Sequence, residues 1–263
     1  MKNEYIPQLS TIREVIRHTA LEYTFRMEYK GEVKPGQFFE ISIPKYGEAP
    51  ISVSGIGEDT VDFTIRRVGK VTNEVFESYA GEQLFIRGPY GNGFDIENYR
   101  DRELVIIAGG TGVSPVRGII QYFAQHPEEA VSTTLIAGFK SPEDVLFKED
   151  FEFWKKHINV IKTVDKAPED YEGPIGMVTK YIPDLKFKNP KQAVFVCVGP
   201  PVMIRFTIAE IKKLGIEDEQ IWTSYERKMC CGLGKCGHCR INEKYVCLDG
   251  PVFNYAEAKN LMD

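Results

Sequence analysis

The stretch Leu104-Val105-Ile106-Ile107-Ala108-Gly109-Gly110-Thr111-Gly112-Val113-Ser114-Pro115 decides how the rest of the chain is read. Five apolar residues in a row, without alternation, fit a strand buried on both faces. A glycine-rich turn follows, and a helical pattern then runs over about 113–123. Strand, glycine turn and helix form the opening of a strand–helix–strand unit, and such units build parallel sheets. At the start of a helix the backbone N–H groups are free, so the turn at Gly109, Gly110, Thr111 and Gly112 suits a phosphate-bearing ligand. The same residues also serve as a plain tight turn. They do not spell the G-x-G-x-x-G fingerprint of ordinary dinucleotide sites.

Toward the C-terminus, apolar runs recur at 134–137, 160–164 and 193–198, with helix-length segments near 147–156 and 203–214. The alternation predicts a parallel α/β sheet with helices on both faces. The run Val198-Gly199-Pro200-Pro201 again ends a buried strand at a helix start. Ligands of parallel sheets bind beyond the carboxyl ends of strands, so Gly199 and Pro200 are expected to face the same cleft as the first turn. Pro200-Pro201 equally suits an ordinary helix N-terminus. A last strand is expected over 220–225.

Toward the N-terminus the periodicity changes to two. Phe39, Ile41 and Ile43 alternate with Phe38, Glu40 and Ser42, and Val61, Phe63 and Ile65 alternate with Asp62, Thr64 and Arg66. Alternation predicts strands with one buried and one solvated face. Turn signals at 34–36, 46–47, 55–57 and 88–91 separate them, which predicts a small antiparallel β-barrel. Within it, Ala49-Pro50-Ile51-Ser52-Val53-Ser54 and Ile65-Arg66-Arg67-Val68-Gly69-Lys70-Val71-Thr72 place a basic strand before a glycine turn and a helix start. That combination suits a pyrophosphate, by charge and by free N–H groups. Arg66-Arg67 also reads as solvated surface. The domains expected are thus a barrel over 1–100, an α/β domain over 101–225 and a cysteine segment over 226–263.

The chain has 263 residues, enough for about two domains. Five of its six cysteines lie between Cys230 and Cys247. Cys231, Cys236, Cys239 and Cys247 give C-x4-C-x2-C-x7-C, the opening spacing of plant-type [2Fe-2S] proteins. A structural zinc is the alternative, although zinc sites favour C-x2-C pairs with a long gap between them. Cys231 is preferred to Cys230 because Cys230 would lengthen the first gap to five. His238 is expected to be solvent-facing or to sit behind the ligands. Val252, Phe253 and Tyr255 follow the last ligand, either to cover a metal centre or to dock a partner. Net charge is −5, with 33 basic and 38 acidic residues and no block of five like charges. No nucleic-acid partner is therefore expected. No apolar run approaches the roughly 20 residues of a membrane span. MKNEYIPQLS lacks the apolar core of a signal peptide. A cytoplasmic location with no membrane association is expected.

In their order of barrel, glycine-turn domain and cysteine segment, these motifs resemble the ferredoxin–NADP reductase superfamily. The segment Gly88-Pro89-Tyr90-Gly91-Asn92-Gly93-Phe94, the turn at 109–112 and the cysteine spacing resemble the branch that includes electron-transfer subunits of dihydroorotate dehydrogenase. Shorter stretches at 47–54, 226–229, 237–240 and 245–255 look most like the B subunits of anaerobic sulfite reductases. The resemblance implies FAD at Pro50, Ile51, Ser52, Ile65, Arg66, Val71 and Thr72. It implies NADH at Gly109, Gly110, Thr111, Gly112, Gly199 and Pro200, and a [2Fe-2S] cluster on the four cysteines. It also implies an oxidoreductase subunit with no catalytic acid or base, passing electrons to siroheme and iron–sulfur subunits that reduce sulfite to sulfide. Only Cys197 and Cys230 lie outside the ligand set, so this chain does not carry the further clusters of that chemistry. Two departures stand out. Ala49 occupies the place of a flavin-contacting arginine, and Val198 that of a cysteine near the nicotinamide. The alternatives are an electron-transfer subunit of dihydroorotate dehydrogenase or of a hydrogenase, and a zinc-bearing binding module.

Overall fold

The computed structural model describes residues 4–78 and 83–261. Two compact units emerge: 4–94 with 225–252, and 95–224 with 253–261.

The first unit is a closed antiparallel barrel. Its strands are β1 (Gln8–Arg17), β2 (Glu22–Glu28), β3 (Phe38–Ile43), β4 (Gly47–Ile56), β5 (Thr60–Arg66) and, after helix α1 (Lys70–Ser78), β6 (Gln83–Tyr90), in the order β1-β2-β5-β4-β3-β6. Closure removes the exposed edges that an open sheet of this size would carry. Alternate residues Phe25 and Met27, Phe39 and Ile41, and Phe63 and Ile65 point inward and form the core. Phe76 of α1 stacks on Tyr23 at 4.5 Å between ring centroids, which seats the helix on the barrel.

The outward faces depart from the expected alternation. Phe38 and Glu40 on β3 are buried, as are Asp62 and Thr64 on β5. Asp62 is held by Arg26 at 2.9 Å, and Thr64 donates to Ser54 within a chain of hydroxyls that includes Thr24. Asp62 and Thr64 are covered but partnered, so a polar letter did not mean a wet face. Over β3 the cover comes from the cysteine segment, as described below.

The second unit contains β7 (Glu103–Gly109), α2 (Val113–Gln125), β8 (Ser132–Phe139), α3 (Lys148–Trp154), β9 (Asn159–Val164), β10 (Ala193–Val198), α4 (Pro201–Lys213) and β11 (Ile221–Ser224). Its sheet begins with β11-β10-β7-β8-β9, all pairs parallel. The chain runs from β7 outward to β9, then returns to β10 on the other side of β7. The topological switch point therefore lies between β7 and β10, where parallel sheets open a crevice for ligands. Val105, Ile107, Phe195 and Cys197 share one face with Ile204, Ile208 and Ile211 of α4. By alternation Leu104, Ile106 and Ala108 face the other side, where α2 and α3 lie.

The cysteine segment adds the hairpin β12 (Arg240–Ile241) and β13 (Lys244–Tyr245), helix α5 (Val246–Asp249), strand β14 (Val252–Asn254) and helix α6 (Tyr255–Ala258). By packing, 225–252 belongs with the barrel, and 253–261 with the sheet, where β14 pairs beside β11. Among the described residues, no helix is long and apolar enough to cross a membrane.

Candidate functional site

Two sets of predicted residues are drawn together, one in each unit. In the sheet unit, Gly110–Gly112 form a single turn of 3-10 helix between β7 and α2. Gly109 and the turn after β10 lie side by side: a Cβ on Gly199 would stand 3.3 Å from the Gly109 nitrogen, and one on Gly109 would strike Met203 Sδ at 2.3 Å. The turn at 109–112 and the turn at 199–200 thus flank the switch point. Their glycines differ in purpose. A Cβ on Gly112 would meet the Val198 carbonyl oxygen at 2.5 Å, so that glycine is needed for packing between the turns. Gly110 has φ +55 and open space where a Cβ would go. It is the position at which a guest can approach the backbone. Thr111 is half-buried beside it, while Pro200 is exposed. Cys197 is fully buried on the α4 face, and burial pushes its thiol up, away from reactivity.

In the barrel, Pro50, Ile51 and Ser52 lie on β4, Ile65 and Arg66 on β5, and Val71 and Thr72 on α1. Ile51 and Ile65 pack on the barrel core and offer only backbone to a ligand. Arg66 is exposed and pairs with Glu22 at 3.2 Å. The Thr72 hydroxyl accepts from the amides of Val68 and Gly69 at 3.1 and 2.9 Å, so it closes the loop before α1.

The cysteine loop is the most constrained of these features. Cys231, Cys239 and Cys247 are buried, Cys236 is exposed, and Cys230 and His238 face solvent. The β12–β13 hairpin folds Cys247 back beside Cys239, with the Val246 amide donating to the Cys239 carbonyl at 3.3 Å. Cys236 is within hydrogen-bonding reach of Cys231, and Cys247 of Cys239. Backbone amides point at sulfur: Leu233 and Lys235 donate to Cys231 Sγ at 3.3 and 3.4 Å, and Gly234 to Cys247 Sγ at 3.2 Å. Gly232 has φ +72, and a Cβ there would strike the Tyr90 ring at 2.8 Å, so the loop lies tight on the barrel. Burial, together with the neighbouring Cys239, pushes the Cys247 thiol up to about 12, whereas the His238 amide lowers Cys236. Buried thiols crowded together and ringed by N–H donors suit a soft cationic centre.

Residues that sequence reasoning missed lie under this loop. Arg87 is 4% exposed; its guanidinium bonds both oxygens of Glu48 and donates to the carbonyls of Cys230 and Cys231. Glu40 is fully buried near it, with neither carboxyl oxygen hydrogen-bonded. Burial pushes this carboxyl up to about 7, against the opposing pull of Arg87. Asn92 ties the barrel to the end of the segment: it donates to the carbonyls of Asp249 and Val252 at 3.0 and 2.8 Å and accepts from the Val252 amide. Arg87 and Asn92 sit in or beside the 88–94 stretch that carried the resemblance, but nothing in the sequence gave them partners. Val252 and Phe253 are buried, and Tyr255 packs on the core of the sheet unit.

Comparison with known proteins agrees with both features. Residues 106–208 match the oxidoreductase NAD-binding domain family. Residues 226–259 match the iron–sulfur cluster binding domain of dihydroorotate dehydrogenase B, which displaces the zinc alternative. The chain is 34% identical to the sulfhydrogenase 2 gamma subunit of Pyrococcus furiosus over 97% of each chain. It is 30% identical to a probable dihydroorotate dehydrogenase B (NAD(+)) electron transfer subunit of Thermoplasma volcanium, over 94% of this chain and 88% of that one. Among solved structures, the NADH-dependent reduced ferredoxin–NADP oxidoreductase that performs flavin-based electron bifurcation matches with a TM-score of 0.78 at 22% identity, covering 97% of this chain and 92% of that chain.

Proposed function

We propose a function that starts from kinship: this chain belongs to the family of iron–sulfur electron-transfer subunits that includes sulfhydrogenase gamma subunits and the electron transfer subunits of dihydroorotate dehydrogenase B. In this reading it carries electrons from NADH through FAD and a [2Fe-2S] cluster to a partner subunit. The observation that carries the reading is the cysteine loop, whose Leu233 and Lys235 amides point at Cys231 Sγ and whose Gly234 amide points at Cys247 Sγ.

When bound, the flavin supplies the conversion of a two-electron hydride into single electrons, and the cluster supplies one-electron carriage. The chain's own residues bind and orient. Gly110 leaves room for the nicotinamide nucleotide at the switch point, and Gly109, Gly112, Gly199 and Pro200 hold the two strand ends together around it. On the barrel, Pro50 and Ser52 point outward from β4, opposite the inward Ile51 and Val53. Arg66 adds a cation for a flavin phosphate, and Thr72 closes the loop that leads into α1, on which Val71 stands. Cys231, Cys236, Cys239 and Cys247 are the metal ligands.

The terminal partner we favour is a hydrogenase of the sulfhydrogenase kind, because identity to that gamma subunit extends over nearly the whole of both chains. A second reading is supply of electrons to the sulfite-reducing subunits of an anaerobic sulfite reductase, favoured by the stretches at 47–54, 226–229, 237–240 and 245–255. The test is anaerobic purification with metal and flavin analysis, followed by identification of the co-purifying subunit. Iron, acid-labile sulfide and FAD with NADH-dependent bleaching are expected. A colourless protein without iron overturns the function. A nickel-bearing partner supports the hydrogenase reading, and a siroheme-bearing partner replaces it with the second.

A further inference from the structure

We propose that Arg87 is the positioning residue of the cysteine loop, and that its buried charge sets the reduction potential of the cluster the loop holds. The inference rests on the reading that Cys231 and its partners bind an iron–sulfur cluster.

Arginine has five N–H donors in a rigid planar fork. All five are used here. Nε and Nη2 donate to the two oxygens of Glu48 at 2.8 and 2.6 Å. Nη2 also donates to the Cys230 carbonyl at 2.7 Å, and Nη1 to the Cys231 carbonyl at 2.6 Å and to the Tyr90 hydroxyl at 3.1 Å. The two carbonyls belong to the peptide groups on either side of the Cys231 Cα. Fixing both planes fixes φ and ψ of Cys231, and with them the direction of its Cα–Cβ bond, from which Sγ reaches the amides of Leu233 and Lys235. Glu48 in turn fixes the guanidinium, and both residues stand on barrel strands. A ligand in an irregular loop is thus referenced to rigid β-structure, from a residue 144 positions away in sequence.

The same bonds sort the polarity of the loop. Carbonyl oxygens at 230 and 231 turn toward Arg87, while the amides of Leu233 and Lys235 turn toward Cys231 Sγ. A cluster on four thiolates is anionic and becomes more so on reduction, so positive charge and N–H donors nearby favour the reduced form. At 4% exposure the Arg87 charge is poorly screened by water. Glu48, and Glu40 beneath the loop, oppose it.

Two substitutions separate position from charge. Arg87→Lys keeps the cation, but its single ammonium cannot hold two carbonyls and both carboxylate oxygens at once. Arg87→Gln removes the charge. The measurements, on anaerobically purified whole protein, are iron and sulfide content, rate of iron loss to a chelator, and midpoint potential by spectroelectrochemical titration. Loss of a supporting bond behind a metal ligand weakens metal retention about ten- to a hundredfold. Arg87→Lys is expected to lose iron about tenfold faster than wild type, at a potential close to it. Arg87→Gln is expected to lose iron at least as fast and to show a lower potential than either. An Arg87→Gln protein with wild-type iron retention and wild-type potential overturns the proposal. If Arg87→Gln assembles no cluster, Glu48→Gln decides the electrostatic part. It removes an opposing charge while the carbonyl bonds remain, so its potential must rise, and an unchanged or lower potential rejects that part. Wild-type protein that holds no iron refutes the functional reading instead.

Discussion

The turn after β7 and the cysteine loop both offer backbone N–H groups to an anionic guest, yet different forces hold them. The turn is a product of its neighbours in sequence and in the sheet. An apolar strand delivers it, the β10 strand lies parallel beside it, and glycine removes the Cβ where the two strand ends meet. Among the bonds described, no side chain caps it. The cysteine loop has almost no regular structure of its own beyond a hairpin of two-residue strands. Its shape is imposed by side chains of a distant barrel: Arg87, Glu48, Tyr90 and Asn92. Packing without polar anchors tolerates no added volume, whereas a polar clamp tolerates none of its partners being removed.

That contrast orders the effects of mutation. The largest is expected at the ligands. Cys239→Ser, at a buried thiol paired with Cys247, should leave the protein with little iron, while the sheet unit keeps its NADH site. Iron analysis and nucleotide binding on one preparation check this. Full iron in Cys239→Ser would mean that the loop binds no metal through that pair.

Next come the glycines, which the sequence treats alike and the structure separates. In Gly112→Val the new Cβ meets backbone at 2.5 Å, and overpacking of this kind costs about 1–3 kcal/mol or more. The expected result is a lower melting temperature with NADH and dithionite reduction lost together as the fold loosens. In Gly110→Ala the cost is only that of a positive φ, about 1–2 kcal/mol, and no atom is in the way. There the KM for NADH should rise while reduction by dithionite persists. Equal loss of stability in both would erase the distinction between a packing glycine and an access glycine.

The same contrast explains what the sequence reveals. The strand runs at 104–108 and 193–198 and the helices after them are local patterns, and each is where it was expected. β1 and β2 were not read. The inward residues Phe25 and Met27 of β2 do alternate with Thr24 and Arg26, but its partner β1 is half exposed and weakly patterned. Glu40 was read as solvent-facing because period-2 alternation assumes that water covers the outer side. Here a segment almost two hundred residues later covers it. Arg87 looked like any arginine at a strand end. Its role depends on a tertiary contact, and no spacing rule encodes one.

The smallest effect is expected at Cys230, and it tests the register of the loop. Cys230 and Cys231 are adjacent thiols, and only the first gap in the spacing distinguishes them in sequence. In the structure Cys231 turns inward, with two amides on its sulfur, while Cys230 is exposed. Cys230 still matters through its carbonyl, which Arg87 holds at 2.7 Å. A serine keeps that carbonyl and removes only the thiol. Cys230→Ser should therefore retain iron, chelator resistance and visible spectrum at wild-type values, whereas Cys231→Ser should lose the iron. The reverse result, iron lost in Cys230→Ser and kept in Cys231→Ser, would shift the first ligand by one residue. It would also place the Arg87 clamp on the carbonyl of the ligand and of the residue after it, rather than on the two carbonyls that flank the ligand's Cα.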